Sequence, residues 1–190
     1  AALNKAHQFD EAEGLLRDVL VKTPEGARGI QTAALRELNR TLMWSQYEDG
    51  RFDERWNELV TNARAILATG HGDETVWREL AHTLMYIPRM REAVDHLEAW
   101  IGKKGPNLER VGKLAWAQGC VADYKAAERV WSHHLRLAEA AVGEGADTRE
   151  LVDTVAYTAL TLVDCFAAAD LQPQAAKVAQ EAWAFCRDLG

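Results

Sequence analysis

The chain has 190 residues, 48% hydrophobic and 27% charged, with 22 Lys and Arg against 29 Asp and Glu and a formal net charge of −7. That balance supplies a real core and excludes a disordered chain and a generic basic surface for nucleic acid. No stretch reaches the roughly 18 uninterrupted apolar residues of a membrane-spanning helix, so no membrane insertion is expected.

Ala, Leu, Glu and Arg recur at spacings of three and four and strand patterns are almost absent, which predicts an all-helical protein of about ten segments. The chain opens at Ala1 inside a helical pattern, as expected of a fragment or a processed form. Phe9-x2-Ala12-x3-Leu16-x2-Val19 reads as a helix that must end before Pro24, because proline removes a helical hydrogen bond and clashes with the preceding turn. Residues 27 to 49 read as one unusually long helix running to a break at Gly50. Phe52-x2-Arg55-x3-Leu59 begins the next and carries an arginine where the other segments carry alanine, which predicts poor close packing there.

Past the Gly70-His71-Gly72 turn come Trp77-x2-Leu80-Ala81-x2-Leu84 and Met90-x2-Ala93-x3-Leu97-x2-Trp100, separated by Pro88. Beyond Pro106 the pattern returns. Val111, Leu114, Ala115, Tyr124, Ala127 and Trp131 each lie 34 residues after Trp77, Leu80, Ala81, Met90, Ala93 and Leu97. The Gly143-Glu144-Gly145 turn introduces a second long helix over 147 to 169. A last helix after Pro173 carries Ala175, Val178 and Ala182, its register ambiguous by one residue. Such a period predicts pairs of antiparallel helices in which alanine permits close approach and large residues fill the gap. One pair cannot bury its apolar face alone and must stack on a neighbour.

These motifs resemble the tetratricopeptide repeat (TPR) family. Trp77-x2-Leu80-Ala81-x2-Leu84 is similar to the first-helix pattern W-x2-L-G-x2-Y, and Met90-x2-Ala93-x3-Leu97 to the aromatic-then-alanine second helix. The resemblance implies an all-α, right-handed superhelical solenoid of about five helix pairs, some elongated, in a single domain. Its parts would be a partial repeat over 1–26, a degenerate repeat over 27–70, repeats over 73–106 and 107–142, and a divergent pair over 147–190. The function it implies is protein or peptide binding, with no enzymatic activity and no cofactor. A cytoplasmic location is the expectation, a periplasmic or anchored parent protein being the alternative.

The residues themselves offer little for chemistry. The two serines, Ser45 and Ser132, are outside any G-x-S-x-G elbow, and the glycines form no phosphate-cradling loop. Glu79-x2-His82 has the spacing used by carboxylate-bridged metal bundles, but no second copy exists to complete a site, so no metal is expected. Cys120, Cys165 and Cys186 are odd in number and never spaced as CxxC, and they read as small core residues. His134 occupies a core-type position and reads as a packed histidine with a satisfied hydrogen bond.

In the family the first helices line a concave groove. Carried over by position, the groove residues are Arg40, Trp44, Tyr47 and Glu48 in the degenerate unit. Thr75, Arg78, His82, Met85 and Tyr86 follow in the next, then Glu109, Trp116, Gly119 and Cys120. The partner-binding set drawn from these is Arg40, Trp44, Tyr47, Arg78, His82, Tyr86 and Trp116. Aromatic and arginine surfaces are enriched where proteins grip partners, so this set suits a hydrophobic or mixed peptide. Trp44 and Trp116 either face that groove or pack on the adjacent long helices. Trp or His stands where chaperone-binding members place asparagine, so a chaperone C-terminal tail is disfavoured. A homodimer through an exposed apolar end is compatible with this reading, as is a parent protein whose catalytic or DNA-binding domain lies elsewhere.

Overall fold

A computed structural model describes residues 9–24, 26–49, 52–70, 72–86 and 89–189, the side chains of 44–49 and 52–54 excepted. Its helices are α1 (Phe9–Lys22), α2 (Arg28–Asp49), α3 (Phe52–Ala68), α4 (Glu74–Tyr86), α5 (Met90–Lys104), α6 (Leu108–Cys120), α7 (Tyr124–Gly143), α8 (Thr148–Ala168) and α9 (Gln172–Leu189). No strand occurs among the described residues. The two long helices stand where the repeat spacing put them, α2 with 22 residues and α8 with 21. The chain divides into two compact units, residues 1–87 and 88–190, and the division falls inside the stretch expected to form the 73–106 repeat.

In the first unit α1 packs on α2, α2 on α3 and α3 on α4. Leu38 and Leu42 of α2 meet Leu59 of α3, with Leu16, Leu20, Met43 and Trp56 around them. Each such side chain withdrawn from water contributes about 1.5–3 kcal/mol. The arginine at the alanine position does not prevent this packing, contrary to the sequence expectation. Arg55 is buried, and its guanidinium lies 3.7 Å from Glu13 of α1. Glu13 also holds Arg17, which reaches Glu58 of α3 at 2.8 Å. The added bulk is thus absorbed into a charge cluster between α1 and α3, which satisfies a cation that would otherwise be costly to bury.

In the second unit α6 packs on α5, α7 and α8, and α8 on α7 and α9. The repeated alanines behave as their spacing requires: Ala81, Ala93, Ala115 and Ala127 are wholly inaccessible to solvent. The turns after α6 and α8 are built alike. Ala122 and Asp170 take the left-handed conformation, with φ of 64° and 59°. In each turn the next residue's N–H closes back onto the helix, Asp123 to the Gln118 carbonyl at 3.0 Å and Leu171 to Phe166 at 2.8 Å. Helix α8 is long and apolar enough to cross a membrane by length and composition. Here Leu151, Val155, Ala159, Leu162 and Phe166 are buried, four of them in the apolar core that joins α6, α7, α8 and α9.

Candidate functional site

Within the first unit, α4 separates its residues sharply by face. Val76, Trp77, Leu80, Ala81, Thr83, Leu84 and Met85 are buried, whereas Thr75, Arg78, His82 and Tyr86 are exposed on one stripe at spacings of three and four. Arg78, His82 and Tyr86, three of the residues singled out from sequence, therefore share one exposed stripe. Met85 does not: it follows Ala81 by one helical turn and shares its buried side.

The stripe has an aromatic end and a charged end. Tyr86 is 73% exposed, and its ring stacks on Trp56 of α3, the centroids 6.2 Å apart and the planes within 6°. His82 extends the row at 6.3 Å from Tyr86. At the other end Asp73 caps α4, one carboxylate oxygen accepting the Val76 N–H at 3.2 Å and the other meeting Arg36 of α2 at 2.8 Å. Arg40 is exposed and pairs with Glu37 on its own helix at 2.5 Å. Burial holds the Glu79 carboxyl above the ordinary carboxylate range; Asp73 adds to the effect, and Arg36 and Arg40 oppose it. Arg40 and α4 thus share one electrostatic environment. The side chains of Trp44 and Tyr47, on the last turns of α2, are outside the described residues.

In the second unit Trp116 is half-buried and meets Tyr157 of α8 edge-on, at 6.3 Å and 87°. Tyr157 and Leu160 are exposed at 60% and 65%, so α8 presents an apolar strip beside Trp116. The cysteines are not core residues: Cys120 is exposed, and Cys165 and Cys186 are half-buried. Gly119 is buried rather than groove-facing, against Cys165 and Leu162. His134 is wholly buried as expected, with neither ring nitrogen in a hydrogen bond of full geometry. Burial lowers its pKa to about 4, His133 adding to this and the Leu108 backbone opposing it, so the ring is neutral at pH 7.

In this unit an open cavity of about 490 Å³ lies between α7 and α9, lined by Leu135, Val142, Ala184 and Phe185 with Glu139 and Glu181. It contains none of the residues singled out from sequence. Among the described residues, no three of His, Cys, Asp and Glu lie close enough together to hold a metal ion.

Trp56, Tyr157 and Cys165 escaped the sequence reading. For Tyr157 and Leu160 a signal existed, the spacing of 153, 157, 160 and 164 along one side of α8, but the uncertain register of the last pair hid it.

No family model and no curated protein matches the chain. Solved structures do. The crystal structure of MamA aligns with a TM-score of 0.64 at 13% identity, over 98% of this chain and 94% of that one. BtubC from P. vanneervenii gives 0.63 at 16% identity, over 98% and 76% of the two chains. A Podosopora anserina kinesin light chain with nearly identical TPR-like repeats gives 0.62 at 18%, over 97% and 90%. The fold is TPR-like. At such identities the likeness speaks for the architecture alone, and what a TPR-like chain grips is read from its own side chains.

Proposed function

We propose that this chain is a binding module that takes an extended segment of a partner protein along the exposed stripe of α4. The observation that carries the proposal is the row formed by Arg78, His82 and Tyr86, exposed together on a helix whose other faces are buried. Tyr86 lies parallel to Trp56 and offset from it, with most of its ring in solvent, so it offers a large surface to an incoming apolar side chain. Arg78 and His82 supply polar contacts beside it, which suits a segment mixing aromatic or aliphatic residues with hydrogen-bonding groups. A preformed helical face of this size fits transient binding with Kd near 1 μM, about −8 kcal/mol. The module works by binding, not by turnover, and needs no cofactor.

The experiment is selection of displayed random peptides on the full chain, followed by titration of the enriched sequences. Arg78→Ala and Tyr86→Ala should each weaken binding by about tenfold or more while leaving the thermal transition in place. Failure to enrich any peptide, or equal affinity for a folded double variant, would remove the stripe as the binding face.

A further inference from the structure

Cys120 ends α6 and Cys165 sits near the end of α8, 45 residues away in sequence, yet their sulfurs are 3.8 Å apart and in hydrogen-bonding contact. Both thiols are reduced. The approach has a cause in the backbone. Gly119 has no side chain where α6 meets α8, and a Cβ there would stand 3.3 Å from the Cβ and Sγ of Cys165 and from Leu162. The missing side chain lets α8 come close enough for its cysteine to reach its counterpart on α6. A disulfide needs about 2.05 Å between sulfurs, so closure requires a movement of less than about 2 Å.

The two thiols are not equivalent. Cys120 is exposed and Cys165 half-buried. Hydrogen bonding from Cys165, opposed by partial burial and aided by the Trp116 side chain, lowers the Cys120 pKa to about 7. Cys165 shifts the other way, because its proton is engaged by Cys120, it is partly buried, and the Cys120 and Asp164 charges disfavour a second anion. The exposed sulfur is thus the nucleophile and its neighbour the reserve.

We propose that Cys120 and Cys165 form a dithiol modification site in which Cys120 attacks a low-molecular-weight disulfide and the pair then closes to a Cys120–Cys165 disulfide. In the first step the Cys120 thiolate attacks one sulfur of the small disulfide. A mixed disulfide forms, the small S–S bond breaks, and one thiolate leaves. In the second, Cys165 loses its proton to solvent and attacks Cys120 Sγ, breaking the mixed bond and releasing the second thiolate. The protein gives up two electrons and the small disulfide is reduced to two thiols. Closure ties α6 to α8 beside Trp116 and Tyr157, and so fixes the helix spacing at one end of the apolar strip that includes Leu160.

The test treats the reduced full chain carrying Cys186→Ser with glutathione disulfide and follows whole-protein mass and a peptide map. The product expected is an intramolecular Cys120–Cys165 disulfide, two hydrogens lighter than the starting protein. Added Cys165→Ser should stop the reaction at glutathione on Cys120. Added Cys120→Ser should slow the first step on the order of tenfold or more. A stable glutathione adduct on Cys120 with Cys165 intact would overturn the proposal, and so would first attack at Cys165. Both readouts exist in the protein without the added variants, so a misfolded variant leaves the proposal open to refutation.

Discussion

The face carried by α2 and α4 and the face carried by α6 and α8 are assembled by opposite means. Between α2 and α4 the link is long and charged: Arg36 reaches Asp73, and Arg36 and Arg40 oppose the Glu79 desolvation. Between α6 and α8 it is short and nearly bare. Added Cβ atoms at Gly112 and Gly119 would stand 2.8 Å from Thr158 Oγ1 and 3.3 Å from Cys165. Long side chains leave the α4 stripe open to solvent and tolerant of change. Close backbones put thiols and aromatic rings within reach of each other and leave little room for error. One repeat plan therefore leaves an exposed stripe in one unit and a close thiol pair in the other.

The largest expected effect lies on the close side. Gly112→Val should destabilise the protein by about 3 kcal/mol, since its side chain meets both Thr158 and the buried ring of His134. An unchanged urea midpoint would break the contrast. Acid should sharpen it. His134 is neutral in the fold with its pKa at about 4, below the ordinary 6.5, so the unfolded chain binds this proton first. Its contribution is complete above pH 6.5 and is lost as the pH falls toward 4, amounting to about 3 kcal/mol. Denaturant titrations across that window should show a shallower pH dependence for His134→Leu than for wild type; identical slopes would remove the assignment. The smallest effect belongs to the charged side. Arg36 and Asp73 are 36% and 53% exposed, so Arg36→Ala should cost less than about 1 kcal/mol in the same urea titration. A loss several times larger would mean that this bridge is more than a solvent-exposed pair.

What could be read from sequence was what spacing alone controls. The alanines at 81, 93, 115 and 127 had to be buried because each faces a partner helix at the 34-residue period, and all four are. The long helices followed from the irregular distance between repeats, and Arg78, His82 and Tyr86 from one helical stripe. Met85 was misplaced because its position borders that stripe and the buried side of Ala81. The stack of Tyr86 on Trp56 and the meeting of Cys120 with Cys165 depend on how two helices cross, which no local period encodes. Gly119 was the clue to the second, but its significance depends on which residue of α8 lies against it, and that is set by the helix crossing. The burial of Arg55 was likewise hidden, because its counter-charge Glu13 lies 42 residues earlier, on α1.

The most direct measurement is photo-crosslinking of a selected peptide to the full chain with a benzophenone side chain placed either at position 82 on α4 or at position 65, exposed on α3. Crosslinking from position 82 and none from position 65 is the result expected if the first-helix stripe is the docking face. Efficient crosslinking from position 65 with none from position 82 would contradict it.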